Sequence, residues 1–173
     1  MLSQKAKVLQ ALGGRTMLNH VMTAANKISN KISVVVGFDK EGVEEEIKKI
    51  GINANTFLQK EQIGTADAVK TTLKDIDKNE KILILYGDVP LIKEETLKKL
   101  CNQESDLSIL TTNLENPTGY GRALKDKENN VLNKSSDFII LKVFSSSSCS
   151  IRLFAPAVSS FEELNVLILN PFL

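Results

Sequence analysis

The chain has 173 residues, of which 42% are hydrophobic and 25% are charged, and its formal net charge is +1. This composition is typical of a globular domain and excludes a mainly disordered chain, while the near-zero charge argues against a partner such as nucleic acid or an anionic membrane surface. Two cysteines are too few for a disulfide framework, and no apolar run approaches the roughly 20 residues of a membrane-spanning helix, so we expect a cytoplasmic protein.

The first half of the chain alternates between helical and strand patterns. Apolar residues recur at helical spacing before and after the short apolar run 32–36, which predicts a buried strand ended by Gly37. The two predicted helices carry these apolar residues: Met17, Val21, Ala24 and Ile28 in the first, and Val43, Ile47 and Ile50 in the second. Gly51 ends the second helix, and residues 52–58 predict a weaker strand.

The pattern continues through the middle of the chain. Thr65 is expected to cap a helix that extends to Ile76, and the apolar run 82–86 is the strongest strand signal in the chain. Leu97, Leu100 and Cys101 then mark a further helix, which is followed by a strand over 107–111. Strands that alternate with helices predict an α/β fold with a mostly parallel sheet and helices on both faces. Ligands of such sheets bind beyond the carboxyl ends of the strands, so we expect function in the loops that follow them.

The composition changes abruptly after Lys134. The first 134 residues hold 38 of the 43 charged residues, whereas the final 39 residues hold five. The final segment also contains five of the seven phenylalanines and nine serines, four of them consecutive from Ser145 to Ser148. Such a change predicts a domain boundary, with a partial domain over 1–134 and an atypical tail over 135–173 that an out-of-frame reading would explain.

Three loops combine glycine with polar side chains. In the first, Gln59 can pair with an amide-like edge such as that of a nucleobase, and Gly64 lets a ligand approach the backbone. In the second, Asp88 follows the most apolar strand, where a carboxylate can hold Mg²⁺. In the third, two glycines flank Tyr120, and the loop can press its backbone against a sugar or base. The alternatives are a plain loop with Thr65 as a helix cap for the first, an aspartate that ends the strand and caps the next turn for the second, and a tight connecting turn for the third.

The only histidine, His20, lies on a predicted helix with no Cys, Asp or Glu at ligand spacing. Nothing supports His20 as a base, so no nucleophilic triad can be built.

Taken together, the three loops are a more specific signal of function than any one loop alone. The segments KVLQALGGRTMLNHV, LQKEQIGTADAV, ILILYGDVPLI and NPTGYGR occur in this order within residues 5–132. In order and spacing they resemble the N-terminal uridylyltransferase domain of the bifunctional N-acetylglucosamine-1-phosphate uridylyltransferase/glucosamine-1-phosphate acetyltransferase. The resemblance implies a Rossmann-like nucleotide-diphospho-sugar transferase fold. It also implies a nucleotidyltransferase that makes UDP-N-acetylglucosamine and pyrophosphate from UTP and N-acetylglucosamine 1-phosphate with Mg²⁺, for peptidoglycan and lipopolysaccharide synthesis.

The resemblance also implies a role for individual residues. The uracil ring would contact Gln59, Gly64 and Thr65, and the sugar side would contact Tyr86, Gly87 and Gly121. Asp88 would be a ligand of Mg²⁺, and Lys7 would be the catalytic cation that meets the substrate phosphates.

The resemblance has limits at both ends of the chain. The family's first strand and its glycine-rich loop of the form L-A-A-G-x-G-T-R-M are not found, since Met1 stands where the final Met of that loop would fall. The family's later Asn residues and its β-helix acetyltransferase domain are not found either. We therefore expect a truncated domain without its first strand, in which the remaining strands have an unpaired neighbour. The apolar runs of the tail could complete the sheet or expose a patch that drives association.

These departures also bear on activity. Because the phosphate-binding loop is not found, we expect impaired turnover. The alternatives are a non-catalytic remnant that binds a uridine nucleotide weakly, or a related sugar-nucleotide pyrophosphorylase. The sequence gives no support for or against an oligomer.

Overall fold

The computed structural model describes residues 5–61, 64–76, 80–103, 107–113, 115–116, 118, 123–128, 131–134, 142–145 and 164–169. The helices are α1 (Met17–Asn26), α2 (Lys40–Ile50), α3 (Thr65–Lys70) and α4 (Glu94–Cys101), with 3₁₀ turns at Lys7–Leu9 and Leu73–Asp75. The strands are β1 (Ala11–Leu12), β2 (Arg15–Thr16), β3 (Lys31–Val36), β4 (Asn55–Leu58), β5 (Lys81–Tyr86), β6 (Leu107–Ile109), β7 (Ala123–Lys125), β8 (Val131–Lys134), β9 (Lys142–Ser145) and β10 (Leu164–Leu169).

A mostly parallel sheet organises the described part of the chain. Its strand order is β4-β3-β10-β5-β9-β6, and two small antiparallel pairs, β1-β2 and β7-β8, lie outside it. The four strands β4, β3, β10 and β5 are mutually parallel, whereas β9 runs antiparallel to both of its neighbours. This arrangement confirms the predicted α/β class with a mostly parallel sheet.

Both faces of the sheet are covered, as the near-continuous apolar runs of its strands require. On one face, Val34, Leu83 and Val166 pack in a core with residues of α1, α2 and α4. On the other face, the next residues along the same strands, including Val35 and Leu167, pack in a second core with α3 and Ile76. Because successive strand residues point to opposite faces, each buried strand contributes to both cores.

The centre of the sheet is formed by the end of the sequence. All six residues of β10 are buried, and the strand pairs in parallel with β3 through Val166↔Ile32 and with β5 through Val166↔Leu83. The expectation of an unpaired neighbour at this place is therefore wrong. The apolar run 164–169 pairs with the backbone groups of both adjacent strands. Of the two outcomes left open for the tail, its apolar run 164–169 completes the sheet. The division into a partial domain over 1–134 and an atypical tail over 135–173 stays a prediction.

One predicted helix differs at both of its ends. The helix expected over 65–76 ends at Lys70, and a 3₁₀ turn over Leu73–Asp75 follows it. Thr65 is the first residue of α3 rather than its cap, since Gly64 occupies the cap position with φ 120° and no side chain accepts a capping hydrogen bond. The hydroxyl of Thr65 lies 3.3 Å from the hydroxyl of Tyr86 instead, so a tertiary contact replaces the local one.

Within the described ranges, no helix is both long enough and apolar enough to cross a membrane.

Candidate functional site

The loops singled out by the sequence begin at one edge of the sheet. Leu169, the last residue of β10, is in register with Tyr86 on one side and Val35 on the other, and Val36 is in register with Leu58. The parallel strands β3, β4, β5 and β10 therefore end together. Because ligands of doubly wound sheets bind beyond these carboxyl ends, this edge is the candidate site.

An ion pair joins two of the predicted residues. The Nζ of Lys7 lies 3.0 Å from the Oδ2 of Asp88, although 81 residues separate them in sequence. The Lys7 side chain is 40% exposed and that of Asp88 is 19% exposed, so the pair lies at the surface of the edge. Exposed ion pairs of this kind contribute about 0–1 kcal/mol to the free energy of unfolding. Stabilisation of the fold is therefore a weak explanation for the pairing of Lys7 with Asp88.

Close packing fixes the backbone beneath this ion pair. The Gly87 amide donates a hydrogen bond to the carbonyl of Leu169 over 2.8 Å. A Cβ atom at Gly87 would lie 2.8 Å from the Cγ1 of Val8 and 3.2 Å from the Leu169 carbonyl oxygen, so a larger residue would force Val8 to move. Val8 is 1% exposed. The strand β10 thus positions the turn of Asp88, and Val8 positions the turn of Lys7 against it.

A second cluster surrounds Gln59, which directly follows β4. Its side chain is 2% exposed, and its Nε2 donates to the Gly64 carbonyl at 3.1 Å and to Oδ2 of Asp67 at 2.9 Å. Both N–H groups of the amide are thereby used, and the two acceptors fix which end of the amide is the nitrogen. Its Oε1 is buried and has no hydrogen-bond partner in the described structure. A buried acceptor without a partner costs about 1–3 kcal/mol, so this oxygen is a candidate for a ligand N–H.

Tyr86 links the two clusters through β5. Its hydroxyl meets Thr65 at 3.3 Å, and the next residues along the chain are Gly87 and Asp88. Burial, and to a smaller extent the nearby charge of Asp88, raise the pKa of Tyr86 to about 12, although the Thr65 hydrogen bond opposes this shift. The phenol is therefore a neutral hydrogen-bonding group at physiological pH.

The residues at this edge suit a magnesium ion that arrives with a substrate. Within the part of the chain that the structure describes, no group of three or more His, Cys, Asp or Glu side chains is arranged to hold a metal. Mg²⁺ needs only one or two carboxylates when water and substrate phosphates complete its shell. The partly exposed Asp88 offers one such carboxylate, so the chemistry of this edge fits a Mg²⁺ ion that substrate phosphates also ligate.

The predicted site residues separate into groups that the fold brings to one edge. Lys7 pairs with Asp88, Thr65 with Tyr86, and Gln59 with Gly64. The predicted sugar contact Gly121 lies outside the described residues. Sequence reasoning missed the carboxylates of Asp67 and Asp39, which hold Gln59 and the backbone before Lys7. For Asp67, the only signal in the sequence was its position eight residues after Gln59, across a loop and the start of a helix. Asp39 had no such signal.

Sequence comparisons place the chain in a known family. The family model for cytidylyltransferase matches residues 4–143. The chain is 45% identical over 129 residues to the bifunctional protein GlmU of Ruthia magnifica and 42% identical over 129 residues to GlmU of Thermotoga maritima. Each alignment covers 73% of this chain and 28% of the relative, so the matched part spans little more than a quarter of the length of these proteins.

Solved structures share the fold at low sequence identity. HddC from Yersinia pseudotuberculosis aligns with 99% of this chain and 84% of its own, with a TM-score of 0.60 and 13% identity. The inositol-1-phosphate CTP transferase from T. maritima aligns with 94% of this chain and 76% of its own, with a TM-score of 0.64 and 16% identity. The similarity to the N-terminal part of GlmU is confirmed by the sequence matches, and the chain belongs to the cytidylyltransferase family, with the fold of the nucleotidyltransferases.

Proposed function

We propose that the carboxyl edge of this sheet binds UTP and N-acetylglucosamine 1-phosphate and transfers the uridylyl group to give UDP-N-acetylglucosamine. The observation that carries the proposal is the Lys7–Asp88 pair, which combines a cation for phosphate with a carboxylate for Mg²⁺ at 3.0 Å. The proposal is supported by the family membership, by the GlmU relatives and by the placement of Gln59 at the same edge.

The base would be held at the Gln59 cluster. Because Asp67 and Gly64 occupy both N–H groups of the Gln59 amide, the side chain has only an acceptor to offer. The imide N–H of uracil is a donor that would satisfy Oε1. A Cβ at Gly64 would meet nothing within 4 Å, so space beside its backbone is available to a ligand. Since Oε1 is buried, the base can reach it only if the surroundings of the Gln59 side chain rearrange.

The Lys7–Asp88 pair would provide the groups that neutralise the negative charge of the substrate phosphates. A bound Mg²⁺ would withdraw negative charge from the triphosphate and hold it in position. Asp88 would contribute a carboxylate oxygen to that ion, and Lys7, released from Asp88, would turn its ammonium toward the phosphates. Both groups act by positioning and neutralisation, so no covalent intermediate with the protein is required.

The transfer itself would be an in-line displacement. An oxygen of the sugar phosphate forms the new bond to the α-phosphorus of UTP, the bond between this phosphorus and the α,β-bridging oxygen breaks, and pyrophosphate leaves with that electron pair. The ammonium of Lys7 would stabilise negative charge on the phosphate oxygens during this step, and the neutral phenol of Tyr86 would offer a hydrogen bond at the sugar side.

A pyrophosphate-release assay tests the proposal. Purified protein is supplied with Mg²⁺, N-acetylglucosamine 1-phosphate and either UTP or CTP. We expect release with UTP, and a loss on the order of 10²-fold in Asp88→Asn because a group that stabilises the reacting phosphates is weakened. Asp75→Asn is the matched control, since Asp75 is exposed and lies in the 3₁₀ turn after α3.

The outcomes separate the competing functions. Binding of UTP without turnover would identify a non-catalytic nucleotide-binding module, and preferential turnover of CTP or of another sugar phosphate would identify a related pyrophosphorylase. Equal turnover in Asp88→Asn and Asp75→Asn would overturn the assigned role of Asp88.

A further inference from the structure

We propose that Asp39 is a positioning residue for Lys7, because its carboxylate holds the backbone of the segment that carries Lys7 at the carboxyl edge of the sheet. The inference rests on the proposed role of Lys7 in binding phosphate. Asp39 follows β3 and precedes α2, so it belongs to a loop that the sequence did not connect with the site.

The connecting contact is a hydrogen bond between distant parts of the chain. The backbone N–H of Ala6 donates to the Oδ2 of Asp39 over 3.0 Å, across 33 residues of sequence. Ala6 is 3% exposed and immediately precedes Lys7. Since a buried amide requires a partner, this carboxylate fixes the chain one residue before the proposed phosphate-binding lysine.

The Asp39 side chain accepts the hydrogen bond from Ala6 in place of a capping hydrogen bond from its own helix. It stands at the cap position of α2 in the left-handed region, with φ 56° and ψ 47°, and its carbonyl accepts from the Val43 amide at 3.1 Å. An aspartate at a cap position ordinarily accepts a hydrogen bond from its own helix through its side chain. Here the side chain makes no such capping bond and accepts from Ala6 instead.

Gly42 provides the room for this carboxylate. A Cβ atom at position 42 would lie 2.6 Å from the Oδ1 of Asp39 and 2.9 Å from its Oδ2. Carbon atoms do not approach carboxylate oxygens this closely, so any other residue at position 42 would displace the Asp39 side chain. The glycine in the first turn of α2 is therefore explained by a tertiary contact and not by helix propensity, which disfavours it.

Two carboxylates from different loops thus contact one short segment. Asp39, after β3, holds the backbone before Lys7, and Asp88, after β5, pairs with the Lys7 ammonium. Val8, the residue after Lys7, is buried against Gly87. The backbone is fixed on both sides of Lys7 while its side chain remains 40% exposed, which is the arrangement a ligand-binding lysine needs.

Three variants isolate the Asp39 contact. Asp39→Asn and Asp39→Gly both tolerate the left-handed backbone, but only Asp39→Asn keeps an acceptor for Ala6. Gly42→Ala keeps the carboxylate and displaces it. The double variant Asp39→Gly/Gly42→Ala is the matched control for Gly42→Ala, because the added methyl group then has no carboxylate to meet.

The first measurement needs neither nucleotide nor activity. Amide hydrogen exchange of Ala6, followed by NMR, should become roughly tenfold faster in Asp39→Gly and in Gly42→Ala, while Asp39→Asn retains most of the protection. The double variant should match Asp39→Gly, because the same bond is lost once. The amide of Val34 in β3 reports any general loss of stability and should not change. Unchanged exchange at Ala6 in Asp39→Gly would overturn the proposal whatever the protein binds.

The second measurement distinguishes positioning from simple stabilisation. With turnover corrected for folded protein, Asp39→Gly and Gly42→Ala should lower kcat roughly tenfold with little change in KM for the sugar phosphate, and Asp39→Asn should restore it. A wild-type-like kcat in Asp39→Gly would refute the positioning role. Absence of turnover in the wild type would refute the proposed function alone, since the exchange result stands apart from it.

Discussion

At the scale of single residues, the orientation of one amide determines what the proposed base site can recognise. Gln59 presents only an acceptor because Asp67 and Gly64 take both of its N–H groups. Asp67 therefore acts on the ligand through Gln59, although it belongs to α3. A substitution at Asp67 should change both the stability of the loop and its preference among bases.

Replacing Asp67 tests this arrangement directly. Asp67→Ala leaves a buried N–H of Gln59 without its acceptor, so we expect the free energy of unfolding to fall by about 1–3 kcal/mol in urea titrations. Asp67→Asn retains an acceptor oxygen and is the matched control, with an expected loss below that of Asp67→Ala. Equal stability of the two variants would show that the contact contributes nothing measurable.

Tyr86 gives a prediction about pH. Its folded-state pKa of about 12 lies above the ordinary value of 10.0. The neutral phenol therefore contributes to the free energy of unfolding in full below about pH 10, and this contribution is lost as the pH rises toward about 12. In ultraviolet titrations to about pH 11, phenolate absorbance should therefore lag behind that of the urea-unfolded protein. The lag should disappear in Tyr86→Phe, which removes one of the chain's two tyrosines. If the phenolate absorbance of folded Tyr86→Phe still lags behind that of the unfolded variant, the raised pKa does not belong to Tyr86.

At the scale of elements, the amino end of β10 is fixed by side chains from its two neighbours. Ser29, just before β3, donates through Oγ to the Leu164 carbonyl at 2.5 Å and accepts from the Lys31 amide at 3.0 Å. Asn165 donates through Nδ2 to Glu80 at 2.6 Å, and Glu80 also pairs with Lys31. A shift of one residue would exchange the two faces of β10, so these contacts specify the register.

Ser29→Ala should weaken this attachment. The change leaves the Leu164 carbonyl and the Lys31 amide without this partner, and we expect a loss of about 1–3 kcal/mol in the free energy of unfolding. Ser33→Ala is the control, because Ser33 is equally buried at 8% and is not part of this contact. The role assigned to Ser29 is wrong if the two variants unfold at the same urea concentration.

At the scale of the whole molecule, the fold depends on a strand from the far end of the sequence. Leu167 and Ile168 are fully buried on opposite faces of the sheet, and each joins one of the two cores. Removing β10 would leave unpaired one edge of β5 along its whole length and one edge of β3 along five of its six residues. Both cores would lose their central contribution at once.

Two changes test this dependence. Deletion of residues 164–173 should abolish cooperative thermal unfolding, whereas deletion of residues 170–173 keeps β10 and should preserve it. Leu167→Ala should cost about 2–5 kcal/mol by leaving a cavity, and the 78% exposed Leu91 provides a control whose change to Ala should stay within about 0.5 kcal/mol. Cooperative unfolding of the protein lacking residues 164–173 would contradict the central role of β10.

How far the sequence predicts this molecule depends on the range of the interactions. The run 82–86 and the heptad-like apolar spacing of α2 determine β5 and α2 locally, so both were predictable. The position of β10 was not, because its register with Lys31 and Lys81 joins segments more than 80 residues apart. The same holds for the site: Asp88 was evident from its place after a strand, whereas the contact of Asp39 with Ala6 exists only once the sheet has formed.

The position of β10 has a consequence for biosynthesis. The ribosome releases β3 and β5 long before residues 164–169, so the two strands that flank the sheet's centre emerge without the strand that separates them. Their apolar edges remain available for pairing with each other, with another nascent chain or with a chaperone during that interval. We expect the native core to form only after residues 164–169 have been synthesised, so that slower translation lengthens the interval in which the edges of β3 and β5 are open to aggregation.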